Sequence, residues 1–192
     1  QDVRVSEKGL APGKAMNMLF WKRKQVPEVG GAISSFGLTD WWLIALSSEE
    51  REYIERRYQP ALLGQGRSSL TTGNASYVSG TPAQLLISIA GWLRTAHERD
   101  LQRRVLLHAL EVPGTDWNRH FTYIALIENY YRDRDNDPRA LAETIRYCEL
   151  DVALAPGLLP QWYRMYPTDK QEDIPAPTHP GFKRLAIIRQ KQ

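Results

Sequence analysis

Residues 120–156, HFTYIALIENYYRDRDNDPRALAETIRYCELDVALAP, hold two apolar-rich segments separated by a short charged corner. The corner sets Asp133, Asp135 and Asp137 at alternate positions, a spacing that fits either a cation loop or a turn between helices. An EF-hand loop opening at Asp133 needs glycine where Pro138 stands and a bidentate glutamate where Thr144 stands. Proline lacks the φ freedom of that tight turn, and threonine cannot close the coordination sphere. Asp137 followed by Pro138 instead has the chemistry of a helix start, with an acceptor at the N-cap and a ring that presets φ. The stretch therefore reads as a helical hairpin, with Asp133 and Asp135 in a solvated turn beside Arg132, Arg134 and Arg139.

The first arm, from about Trp117 to Arg132, is apolar over much of its circumference, which predicts packing on more than one side. The second, Pro138 to Leu154, repeats Leu141, Ile145, Cys148 and Val152 along one face and sets Arg139, Glu143 and Arg146 opposite. Beyond it the prolines concentrate, and Pro156 should end the helix. A short helix-like LPQWYRMY, a loop and a terminal helix in GFKRLAIIRQKQ follow.

Upstream, Thr81, Pro82 and Gln84 announce a helix whose Leu85, Leu86, Ile89, Trp92 and Leu93 form one stripe. Another helix runs from about Glu98 to Leu110. Ser47 and Glu50 have capping-box spacing before a helix from Ser48 to about Tyr58. Residues 61–80 read as a loop with one short strand-like run near Ala75 to Val78. Gly64, Gly66 and Ser68 lack the lysine that a phosphate loop requires. Residues 1–38, punctuated by glycine and proline without a sustained period, read as a flexible arm before a helical domain over 39–192. The predicted class is mainly α, either a bundle or stacked helical hairpins.

Composition narrows the chemistry. The 192 residues, 42% hydrophobic, suffice for one cored domain. The balance of 25 basic against 22 acidic residues, a net charge of +3, lacks the dense surplus of a dedicated nucleic-acid binder. The single Cys148 cannot form an intramolecular bridge and favours a reducing, cytoplasmic setting. No apolar run approaches the ~20 residues of a membrane-spanning helix.

The hairpin of residues 120–156, its closing ALAP and the later opener HPGFKRLAIIRQKQ resemble the tetratricopeptide class of repeats over roughly the last 75 residues. The first helix is longer than that pattern, and Thr144 and Asp151 stand where it carries small residues. The resemblance implies stacked helix pairs and a groove that binds a protein or peptide. Rigid aromatic anchors would line it, with Tyr123, Tyr130, Tyr131 and Trp162 as candidates. Homo-association through the terminal helix would cover Phe182, Leu185, Ala186, Ile187 and Ile188.

A second resemblance carries a mechanism. RRVLLH, residues 103–108, is similar to the R-x4-H signature of the HEPN class of helical ribonucleases, which implies Arg103 and His108 acting on an RNA phosphate without metal. Five positions on a regular helix point about 140° apart, whereas Arg104 and His108 share a face. His97 and His108 lie ~16 Å apart on one helix, beyond a single metal. His120 and His179 read as capping or packing residues, and neither a metal nor a cofactor is expected. Arg51, Arg56, Arg57, Arg94, Arg99, Arg103 and Arg104 could gather for nucleic acid, but interleaved Glu49, Glu50, Glu52, Glu55, Glu98 and Asp100 favour solvated helix faces. The expected role is a non-catalytic interaction or adaptor module.

Overall fold

The starts of four α-helices and one 3-10 turn are fixed by local hydrogen bonds that satisfy exposed backbone donors. A computed structural model describes residues 28–59, 70–73, 79–165, 174–175 and 177–191. Helix α1 spans Gly31–Ser35, α2 Thr39–Ile44, α3 Ser48–Arg57 and α4 Pro82–Ala90. A 3-10 turn at Ala96–Glu98 leads into α5, Arg99–Glu111, followed by α6, Asp116–Asp133, α7, Ala140–Met165, and α8, Pro180–Arg189. No strand occurs among the described residues.

Ser47 and Glu50 exchange side-chain and backbone hydrogen bonds at the start of α3, as their spacing predicts. Thr81 accepts from Gln84 N at 3.1 Å and opens α4 with proline in the first turn. Thr95 with Glu98, and Thr115 with Asn118, close the same reciprocal box before the 3-10 turn and α6. At the corner, Asp137 Oδ1 accepts from Arg139 N at 2.9 Å, so the turn is built as a helix start. The three aspartates diverge: Asp133 joins Arg99 and Arg103 of α5, Asp135 faces Arg134, and Asp137 faces Arg139. Asp133 is thus a tertiary anchor, and the solvated turn expected around it holds only for its neighbours.

Helix α6 packs along α7, α4 along α5, α5 on α6, and α8 on α7. Ile54, Leu86, Ile89, Leu106, Leu126 and Ile127 are fully shielded in the shared core. Burial of each such side chain contributes roughly 1.5–3 kcal/mol.

Order begins before residue 39. Ile33 and Leu38, assigned from sequence to the arm, lie in the core. The backbone of residues 30–33 bonds to residues 70–73, with Gly30 N to Thr71 O at 2.8 Å and Ile33 N to Leu70 O at 2.9 Å. A Cβ on Gly30 would stand 2.9 Å from the Gly73 carbonyl, and Gly31 adopts φ of 58°, so glycine is required for this docking. Residues 1–27, the Gly64–Ser68 loop and the strand-like run at 75–78 lie outside the described residues.

Helix α7 does not end at Pro156. It continues to Met165 with Pro156 and Pro160 inside, and Leu159 to Met165 of LPQWYRMY form its last two turns. Each proline removes a backbone donor, at about 3 kcal/mol in a helix interior. Burial of Leu158 between them and the contact of Trp162 with Trp117, ring centroids 5.8 Å apart, offset that cost. The buried stripe of α7 is Ala140, Thr144, Tyr147, Cys148, Asp151 and Leu158, rotated from the predicted Leu141, Ile145 and Val152. No helix among the described residues is long and apolar enough to cross a membrane.

Candidate functional site at the start of helix α6

The rotated stripe of α7 carries an acid into the interior. Asp151 is fully buried, and its Oδ1 lies 2.6 Å from Nδ1 of His120, one turn into α6 and 2% exposed. His179, the residue before α8, sets its Nδ1 3.8 Å from Asp151 Oδ2, beyond hydrogen-bond reach. Both of those atoms are buried, and neither finds a hydrogen-bond partner among the described residues. One donor atom from each of His120, Asp151 and His179 lies within 4.8 Å of the others. Burial, and then the adjoining His120, hold the His179 imidazole below its ordinary value, against the opposing pull of Asp151. A neutral ring follows at pH 7.

The close approach of α8 is set by Gly181. A Cβ there would stand 2.6 Å from Asp151 Oδ2 and 3.2 Å from the Cys148 carbonyl. Aromatic rings close the outer side. Trp117 meets His120 edge-on at 5.6 Å, Phe121 at 5.9 Å and Trp162 at 5.8 Å, and Phe182 stands edge-on to His179 at 5.9 Å. Phe121 and Phe182 keep half of their surface exposed, so the rings form a patch over the buried polar cluster.

Of the predicted anchors, only Trp162 belongs to this patch; its Nε1 donates to the Pro175 carbonyl at 2.9 Å. Tyr130 is a core residue, stacked on Tyr147 and covered by the Arg103 guanidinium. Tyr123 packs against Tyr147, and Tyr131 lies between Arg134 and Arg184. The amphipathic period of α6 turned these tyrosines toward α5, α7 and α8.

Arg103 and His108 serve different interfaces. Arg103 binds Asn129 and Asp133 of α6, whereas His108 stacks on Trp41 of α2 at 4.8 Å and bonds to Glu111 at 2.8 Å. The arginines gathered by sequence are largely engaged within the fold: Arg51 on the Leu46 carbonyl, Arg57 on Glu98, Arg99 on Asp133, and Arg104 on Glu50 and Asp100. A cleft of about 370 Å³ between α3 and α5 is lined by Glu50, Tyr53, Glu98 and Arg104. Burial raises the Glu98 carboxyl, but hydrogen bonds from Thr95 and Tyr53 and the Arg57 charge outweigh it and bring it to about 2. Cys148 is buried, and burial followed by the Asp151 charge pushes its thiol up to about 11, which leaves it protonated and unreactive at neutral pH.

Sequence reading missed the polar cluster because its members come from three elements with no ligand spacing. One signal was present: Asp151 stands at a position where the hairpin pattern calls for a small buried residue. No family model, curated protein or solved structure matches the chain.

Proposed function

We propose that the chain is a non-catalytic interaction module of helical-hairpin type, suited to a reducing cytoplasmic setting, that binds a protein or peptide through the aromatic patch on α6, α7 and α8. The observation that carries this reading is the half exposure of Phe121 and Phe182 beside Trp117 and Trp162. Rigid aromatics grouped at a surface supply large contact area at low entropic cost, which is what a recognition hot spot requires. The engaged arginines support this reading over nucleic acid, since a phosphate backbone would have to compete with existing carboxylate partners. The tetratricopeptide resemblance is consistent with it, α8 lying on α7 as the opening helix of a further pair would.

Peptides selected from a random displayed library against the full chain test the proposal. Their binding, followed by tryptophan fluorescence, should weaken about 30-fold or more when Phe121 and Phe182 are both replaced by alanine, with circular dichroism unchanged. Affinity indifferent to that replacement, or an affinity only for RNA that falls steeply with salt, would oppose it.

A further inference from the structure

The polar cluster beneath the aromatic patch holds two buried polar atoms without a partner among the described residues. We infer that His120, Asp151 and His179 form a binding site for one divalent transition-metal cation of the zinc class.

Three observations converge. Donors from α6, α7 and the residue before α8 meet within 4.8 Å. Asp151 is fully buried, yet its Oδ2 finds no hydrogen-bond partner among the described residues. His179 Nδ1, 3.8 Å away, is also buried and without a hydrogen-bond partner among the described residues. A buried carboxylate oxygen without a partner costs about 1–3 kcal/mol or more, so its persistence calls for a compensating group. A cation does this for both atoms at once, because a carboxylate and an imidazole nitrogen each offer it a lone pair.

The donor set selects the ion. Two imidazoles and one carboxylate suit zinc and its first-row neighbours, whereas calcium and magnesium prefer all-oxygen shells. Zinc takes imidazole and carboxylate donors at about 2.0–2.2 Å, which puts tetrahedral neighbours roughly 3.4 Å apart. The 3.8 Å gap between Oδ2 and Nδ1 therefore closes with a small shift of His179, which stands outside the regular helix. For His120 Nδ1 to be the third donor, the proton it gives to Oδ1 moves by way of solvent to Nε2, and the cation takes the place of that hydrogen bond, leaving both Asp151 oxygens facing it. A fourth position remains for water. The flanking Trp117 and Phe182 rings limit solvent access, and Gly181 leaves room for Asp151 where any side chain would intrude. Bound in this way, the cation ties α8 to the α6–α7 hairpin.

The experiment is calorimetric titration of ZnCl2 into the chelator-stripped full chain, repeated with MgCl2, with Co²⁺ absorption as an independent readout. One equivalent of zinc should bind with Kd of about 1 µM or tighter, and magnesium should not bind. Cobalt should give the intense visible bands of a tetrahedral site. His179→Ala, at the edge of the cluster, should weaken zinc at least about tenfold with its helical dichroism intact, and the His97→Ala/His108→Ala double variant should bind as wild type does. Absence of saturable zinc binding to the wild-type chain overturns the proposal and leaves the cluster as a purely structural bond. Undiminished binding in His179→Ala, or its loss in the double variant, overturns it too.

Discussion

At the C-terminal end of α6, Asp133 receives Arg99 and Arg103 while Asn129 bonds to Arg103, Gln102 and the Arg99 carbonyl. At its N-terminal end, His120 shares one oxygen of Asp151, and the other oxygen faces a histidine that it does not reach. Both ends fasten α6 to a neighbouring helix through buried or half-buried polar side chains. The first uses charge-assisted bonds that leave little unspent, which is the pattern of a structural joint. The second leaves two buried polar atoms, Asp151 Oδ2 and His179 Nδ1, without a partner among the described residues across a gap of 3.8 Å, the geometry on which the proposed cation site rests. Polar burial alone therefore does not separate the two ends of α6; the partnering of the buried atoms does.

The contrast can be broken by substitution. Asp151→Ala should have the largest effect, about 4 kcal/mol in urea unfolding of the chelated chain, because it strands the buried His120 and removes the contact under α8. A loss below 1 kcal/mol would mean that the cluster contributes little to the joint. Glu98 extends the comparison to a buried acid with partners on both oxygens. Its carboxyl lies at about 2 in the fold against an ordinary 4.5, a depressed value, so its stabilisation is present above pH 4.5 and is lost as pH falls toward 2. Glu98→Gln should cost about 3 kcal/mol at pH 7 and flatten the decline in stability across that window. Asp133→Asn should cost less, about 2 kcal/mol, since the acid keeps some contact with solvent and water can take its place. The smallest change, under about 1 kcal/mol, is expected for joint replacement of Phe121 and Phe182 by alanine, whose exposed rings serve recognition more than the fold. Thermal melts of the four variants rank these effects directly.

Much of this architecture is written locally. Ser47 with Glu50, Thr81 with Pro82, and Asp137 with Pro138 identify helix starts because a cap needs only neighbours in sequence. The terminus of α7 is not local: Pro156 and Pro160 are stop signals by propensity, and burial of Leu158 overrides them. The same rule explains Ile33, whose place in the core depends on bonds to residues 70–73 that no periodicity announces. The tyrosines of α6 were legible as helical and aromatic, but their exposure depends on where α5, α7 and α8 lie. His120, Asp151 and His179 became a group only through the rotation of α7 and the close seating of Gly181.

Zinc-edge X-ray absorption on the full chain loaded with one equivalent of Zn²⁺ tests the difference between the two ends of α6 most directly. The account predicts imidazole nitrogens and a carboxylate oxygen at about 2.0–2.2 Å, a shell that His179→Ala disrupts and Asp133→Asn leaves intact. A zinc ion surrounded only by water oxygens, or a spectrum indifferent to His179→Ala, would contradict it.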